Sequence, residues 1–233
     1  MERLFFSIVI PAHNESERLP VTLEHLKNLD HPADKFEVIV VENGSTDNTL
    51  EIARSFEGGN VRVLQSAKGV SRAKNAGIDH LSAESDWVIF LDADTVLERS
   101  FLLELNLLLS KPNTYSVGTV SLLPYPNTRK ARIWFLLYDY SHIVFKASYS
   151  ISIVRRSVFP PVRFSESLVT GEDLDVIKQA LKFGKFFFLW TRSVSTSTRR
   201  FDREGWWYTV LYWTFVAVLP KSMQQRFRYD VVR

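Results

Sequence analysis

Two aspartates one residue apart, Asp92 and Asp94, follow the apolar run Val88-Ile89-Phe90-Leu91. Such a run suits a buried strand, and two carboxylates at its end can present oxygens near one point. Mg2+ and Mn2+ prefer oxygen ligands, and Mg2+ is typically held by one or two carboxylates plus substrate phosphates. Asp92-Ala93-Asp94 therefore suits a divalent cation, although Asp is also common where strands stop. A second acidic group, Gly171-Glu172-Asp173, opens a stretch with helical spacing. A helix start favours an anion there, and the same residues would cap any helix. Lys68 and Arg72 flank another helix start, where free N–H groups and side-chain charge can attract phosphate. Lys74, on the same stretch, reads as part of a solvated basic face. The five histidines show no metal-ligand spacing.

Positioning these groups requires strands and helices in alternation. Residues 5–10, 36–41, 61–65 and 87–91 read as strands, being short, rich in β-branched or aromatic residues and bounded by polar turns. Between them Leu19, Leu23 and Leu26, then Ile52, Ala53 and Phe56, then Val70, Ala73, Gly77 and Leu81 recur at helical spacing. Asn75 and Gly77 are expected to pack on the neighbouring strand. Alternation of this kind implies βαβ units and a mainly parallel sheet with helices on both faces, whose ligand crevice lies at the carboxyl ends of the strands. His13-Asn14-Glu15, Glu42-Asn43-Gly44-Ser45 and Asp92-Ala93-Asp94 each follow a strand and should converge there. Farther on, residues 101–109, 130–146 and 173–183 read as helices, and 115–123, 148–154 and 185–190 as strands. One domain is expected over residues 1–200. Residues 1–95 would form its more regular half and 96–200 its more variable half. An aromatic helical extension would cover 201–233.

Taken in order, Val9-Ile10-Pro11-Ala12-His13-Asn14-Glu15, Val40-Val41-Glu42-Asn43-Gly44-Ser45-Thr46-Asp47, Lys68 to Gly77, Leu91-Asp92-Ala93-Asp94 and Gly171-Glu172-Asp173 resemble the family-2 inverting glycosyltransferases of GT-A fold. The resemblance implies transfer of a sugar from a nucleotide-diphosphate sugar to a hydroxyl acceptor, a saccharide or a lipid-linked glycan. It makes Pro11, His13, Glu15, Glu42 and Asn43 the nucleotide pocket, with relatives commonly carrying two aspartates where Glu42 and Asn43 stand. Lys68, Arg72, Asp92, Ala93, Asp94 and Glu172 would complete the donor site. Mn2+ or Mg2+ would sit on Asp92 and Asp94, and Asp173 would be the general base. Glu172 and Asp175 are alternates, Asp175 being solvent-facing or structural. More loosely, Arg199 and Arg200 fall where relatives carry a basic motif over the diphosphate; solvated arginines are the other reading.

Composition sets limits around this expectation. With 29 basic and 26 acidic side chains the formal charge is +3, too small and scattered for a dedicated nucleic-acid binder. Zero cysteines exclude disulfides and thiolate metal sites, which fits a reducing compartment. The run ending at Pro11 lacks a small-residue cleavage site and reads as a first strand, not a leader. No stretch reaches the ~20 apolar residues that span a bilayer. Trp206, Trp207, Tyr208, Trp213 and Phe215, flanked by arginines and Lys221, suit an interfacial helix at an anionic membrane, a helix packed on the domain, or a homodimer contact. A cytoplasmic protein, or one peripheral on the cytoplasmic membrane face, is expected. Two alternatives compete: a catalytically silent nucleotide-sugar-binding module and a nucleotidyltransferase. The second normally needs a glycine-rich basic loop after its first strand, where this chain has Pro11 to Glu15.

Overall fold

The computed structural model describes residues 3–168, 171–209 and 212. Four parallel strands form its first half: β1 (Phe6–Ala12), β2 (Phe36–Glu42), β3 (Val61–Gln65) and β4 (Trp87–Leu91), in the order β3-β2-β1-β4. Helices α1 (Leu19–Lys27), α2 (Thr49–Ser55) and α3 (Val70–Asp79) make the crossovers. Successive strand residues point to opposite faces, so these apolar runs feed two cores. Ile8, Ile10, Val38, Val40, Ile89 and Leu91 enter one, while Val9, Ile39, Val41, Val88 and Phe90 enter the other. Burial on both faces explains why β1, β2 and β4 are near-continuous apolar runs rather than alternating ones.

The second half contains β5 (Thr95–Leu97), α4 (Phe101–Leu109), β6 (Tyr115–Val120), β7 (Leu123–Tyr125), α5 (Arg129–Phe145), β8 (Ile151–Arg155), α6 (Glu172–Ala180), β9 (Lys185–Leu189), β10 (Val194–Ser197) and α7 (Arg199–Glu204). The main sheet continues from β4 through β8 and β6 to β9, giving seven strands. Strand β8 runs antiparallel to both β4 and β6. A separate three-stranded sheet has the order β5-β10-β7.

Several expectations shift. The run 115–123 is not one strand: β6 ends at Val120, and β7 belongs to the small sheet. Between them Ser121 donates its hydroxyl to the Thr191 carbonyl, and the Leu122 amide donates to Asp139. The strand expected over 148–154 begins only at Ile151, after Ser150 adopts a positive φ of 58°. Gly77 does pack on a strand, since a Cβ there would lie 2.4 Å from Val9 Cγ1 of β1. Asn75 does not. Its side chain donates to the Phe164 carbonyl and accepts from the Phe164 amide, clipping the segment before α6 onto α3. Of the expected extension over 201–233, residues 210–211 and 213–233 lie outside the described residues, as do Val169 and Thr170 just before α6.

Candidate active site

The carboxyl ends of β1, β2 and β4 meet at one edge, as parallel order requires. The loop after β1 turns at Asn14, a non-glycine residue with φ 54°. Its side chain accepts from the Thr46 amide at 2.7 Å, and its own amide donates to Ser45 Oγ at 3.0 Å. His13 lies beside it, Nε2 being 3.3 Å from the Asn14 amide nitrogen, and Pro11 pairs with Val41 inside the sheet. Asn43 is buried and committed to the scaffold: its side chain donates to the Ala12 carbonyl and accepts from the Gly69 amide at the start of α3. Glu42 is similarly engaged, accepting from the Ser45 amide at 2.5 Å and from Gln65 at 3.4 Å. Burial pushes the Glu42 carboxyl upward, but these bonds outweigh it and hold it below the usual range. Gly44, at φ 81°, brings the backbone of exposed Lys68 against this turn.

Asp92, Glu172 and Asp173 gather around one cation, and it is Lys74. The side chain of Lys74 is only 3% exposed, so it is not on a solvated face. Its Nζ donates to Asp173 Oδ1 at 2.8 Å and to Glu172 Oε1 at 3.4 Å, and it lies 4.9 Å from the centroid of the Phe164 ring. Burial alone would depress the Lys74 ammonium, but Asp173, Glu172 and Asp92 together hold it above its ordinary value. Burial pushes Asp92 up to about 8; Lys74 opposes this, while Asp94, Asp173 and Glu172 add to it. Glu172 is raised by burial and by neighbouring Asp173. Asp175 is buried as well, bonded to Gln179 one turn on. The placement of Lys74 follows from helix geometry. It stands four residues after Val70 and three before Gly77, on the stripe that faces the sheet.

Asp94 faces a different cation. Strand β5 leaves the Asp92-Ala93-Asp94 turn and pairs antiparallel with β10, Thr95 opposite Thr196. Arg199 follows three residues later. Its Nη2 lies 2.6 Å from Glu15 Oε1 and 3.2 Å from Asp94 Oδ2. The small sheet, invisible in the sequence pattern, thus joins the residues after β4 to those before α7. The turn is also held from below, since Thr22 Oγ1 donates to the buried Ala93 carbonyl at 2.7 Å. Burial lifts the Glu15 carboxyl to about 7, Arg199 opposing and Asp94 reinforcing the rise. Glu15 Oε2 is buried without a hydrogen-bond partner. Arg18, unremarked in the sequence, adds charge near both Glu15 and Asp94, and its Nε is also buried and unpartnered.

Glu172 and Asp173 therefore pair with Lys74, and Glu15 and Asp94 with Arg199, while Asp92 feels the Lys74 charge without a direct ion pair. Burial raises Asp94 as well as Asp92, and Arg199, Arg18 and Arg200 oppose the rise at Asp94. A hard, oxygen-seeking divalent cation fits this donor set. Among the described residues no three His, Cys, Asp or Glu side chains form a ready-made cage. One of the expected phosphate ligands lies apart from this group: Arg72 forms a half-exposed pair with Glu166. Arg200 approaches Glu204 at 4.0 Å, and its charge also acts on Asp94.

The model of the family described as glycosyl transferase family 2 matches residues 7–158. Glycosyltransferase AglE of Haloferax volcanii is 31% identical over 194 residues, covering 77% of this chain and 62% of AglE. In fold, the chain is similar to a crystallised TarS fragment from S. aureus in complex with UDP-GlcNAc. The TM-score there is 0.69 at 20% identity, over 84% of this chain and 59% of that one. It is also similar to the mannosyltransferase PcManGT from Pyrobaculum calidifontis in complex with GDP-Man and Mn2+. That TM-score is 0.67 at 17% identity, over 97% of this chain and 64% of that one. The chain thus spans less than two thirds of each of these proteins.

Proposed function

The chain belongs to glycosyl transferase family 2 and has its GT-A fold, and from that premise we propose that it moves a sugar from a nucleotide-diphosphate sugar to a hydroxyl acceptor with inversion. One observation carries the proposal: Asp92 at the end of β4 faces a second acidic pair, Glu172-Asp173, across buried Lys74, while Asp94 of the same turn pairs with Arg199. A donor site and a proton acceptor thus adjoin without sharing residues.

The nucleotide lies over the loops after β1 and β2, among Pro11, His13, Glu15, Glu42 and Asn43. Glu42 and Asn43 act chiefly by shaping that loop, because their polar atoms are already engaged. Glu15, with an unbonded buried oxygen, keeps an acceptor for a ribose hydroxyl or a base N–H. Asp92 and Asp94 would hold Mn2+ or Mg2+, which would offset the negative charge growing on the diphosphate leaving group. Arg199, and less directly Arg200, Arg18 and Lys68, bring positive charge to the same region, the Arg199 fork being suited to phosphate oxygens. Asp173 takes the proton of the acceptor hydroxyl as that oxygen attacks the anomeric carbon. Lys74 donates to this carboxylate and fixes its orientation. The catalytic unit is taken as residues 1–200, with a location in the cytoplasm or on its membrane face.

Calorimetric titration of UDP-, GDP- and dTDP-sugars with Mn2+ tests the reading, followed by NMR of the product's anomeric configuration. Binding of one donor and an inverted product support it. No binding of any donor would return the chain to the class of silent modules.

A further inference from the structure

Helix α5 is apolar on two opposite sides. Ala131, Phe135, Asp139 and His142 face the protein, Phe135 packing on Phe201 of α7. On the other side Ile133, Leu136, Leu137, Tyr140 and Val144 form one stripe at the i, i+3, i+4, i+7, i+11 spacing, all exposed, with Val144 reaching 71%. Aromatic rings widen the stripe on both flanks. Trp207, 72% exposed, stands edge-on to Trp134 at 4.6 Å, and exposed Trp190 lies 5.6 Å from Tyr140. A contiguous apolar surface of this kind marks an interaction site rather than ordinary scatter.

The charges around it identify the partner. Exposed Arg129, Lys130 and Arg132 stand at one end of the helix, and exposed Lys146 closes the other. The sole acid of α5, Asp139, is buried and bonded to the Leu122 amide. A second copy docked symmetrically would bring like charges together whether the two helices ran parallel or antiparallel, which disfavours self-pairing. The chain's own residues 210–233 carry Lys221, Arg226, Arg228 and Arg233 against Asp230 alone, so they lack the complementary charge as well. An apolar stripe with basic ends and flanking Trp and Tyr matches the boundary between anionic headgroups and acyl chains.

We propose that the outer face of α5, with Trp190 and Trp207 beside it, seats the protein on an anionic lipid surface. The seat lies directly behind α7, the helix that begins at Arg199. An acceptor anchored in the same surface would therefore need only to reach across α5 and α7. No helix among the described residues is long and apolar enough to cross a membrane.

Co-sedimentation tests this with the full chain and neither donor nor acceptor present, so its outcome is independent of the transfer chemistry. Vesicles of phosphatidylcholine mixed with phosphatidylglycerol are compared with phosphatidylcholine alone. Binding is expected only to the mixed vesicles and should weaken as salt rises. The double variant Leu136→Glu, Val144→Glu should bind roughly a hundredfold more weakly, and Arg129→Glu, Arg132→Glu roughly tenfold. Both pairs are exposed, so melting temperature and donor binding should stay at wild-type values. Three results would overturn the proposal: no binding of the intact chain to either vesicle, α5 variants that bind normally while removal of residues 210–233 abolishes binding, or a lipid-free dimer that L136E/V144E dissolves.

Discussion

Replacing Lys74 with Met keeps the length of the stem and removes the charge that three carboxylates share. Taking away one partner of a buried, hydrogen-bonded ion pair costs about 3–5 kcal/mol when the other charge stays ionised. In this site the carboxylates can instead take up protons, because Asp92 already sits near 8 and Glu172 is already raised. Each such proton returns up to about 1.4 kcal/mol per pH unit below the raised value. The sign follows: acids raised in the folded state weaken it as pH climbs through the window between ordinary and raised values. Lys74→Met should therefore cost about 3 kcal/mol near pH 8 and only about 1 kcal/mol near pH 6, read from urea unfolding at the two pH values. Turnover reports on the same event. Removing the ammonium takes the orienting hydrogen bond from Asp173 and lets Asp92 and Glu172 hold protons to higher pH. kcat should fall by roughly ten- to a hundredfold and the acid limb of the pH–rate profile should move up, while the donor KM changes by less than about threefold. Lys74→Arg, which keeps the charge, should recover most of the turnover. If Lys74→Met lost equal stability at both pH values and kept the wild-type pH–rate profile, Lys74 would be a packing residue and nothing more.

Other expectations separate the roles further. Asp173→Asn should lower kcat by about a thousandfold while calorimetry finds donor affinity within a few-fold of wild type; near-normal turnover would remove Asp173 as the base. EDTA should abolish transfer and Mn2+ or Mg2+ restore it, and activity indifferent to chelation would end the role given to Asp92 and Asp94. Asp139, lifted by burial from 3.8 to about 7, makes the fold less stable as pH rises between those values. Asp139→Asn should flatten that part of the stability–pH curve, which otherwise falls by up to about 1.4 kcal/mol per unit. Gly77→Ala forces a methyl against Val9 and should lower stability by about 1–3 kcal/mol, measured by thermal or urea unfolding.

The four-stranded core was legible because burial on both faces writes itself as unbroken β-branched and aromatic runs. The predicted bounds of β3, β4 and α4 coincide with the observed ones. Legibility declined where elements shorten. Strands of three and four residues, such as β5, β7 and β10, carry too few side chains for a period to show, yet they bring Arg199 to Asp94. Lys74 was misread for a different reason. Its place on the inner stripe of α3 was visible in the spacing, but residue type was allowed to override position, and a lysine is seldom buried without paired acids. Those acids lie far along the chain, where no local pattern could announce them. The exposed stripe of α5 left no mark of its own, because apolar residues at helical spacing look the same whether they face the core or solvent.

The ion pairs of the site are also statements about the order in which it can come into being. Lys74 and Asp173 lie 99 residues apart, and Glu15 and Arg199 lie 184 apart. Each contact closes a long loop, so none can form locally or early. A ribosome releasing this chain from its N-terminus presents Glu15 and Asp94 well before Arg199, and Lys74 well before Glu172 and Asp173. Arg199 follows only behind β10. The half of the molecule that is easiest to recognise is thus, on its own, a set of charges awaiting most of their partners. Assembly of the site becomes a late checkpoint on completion of the fold.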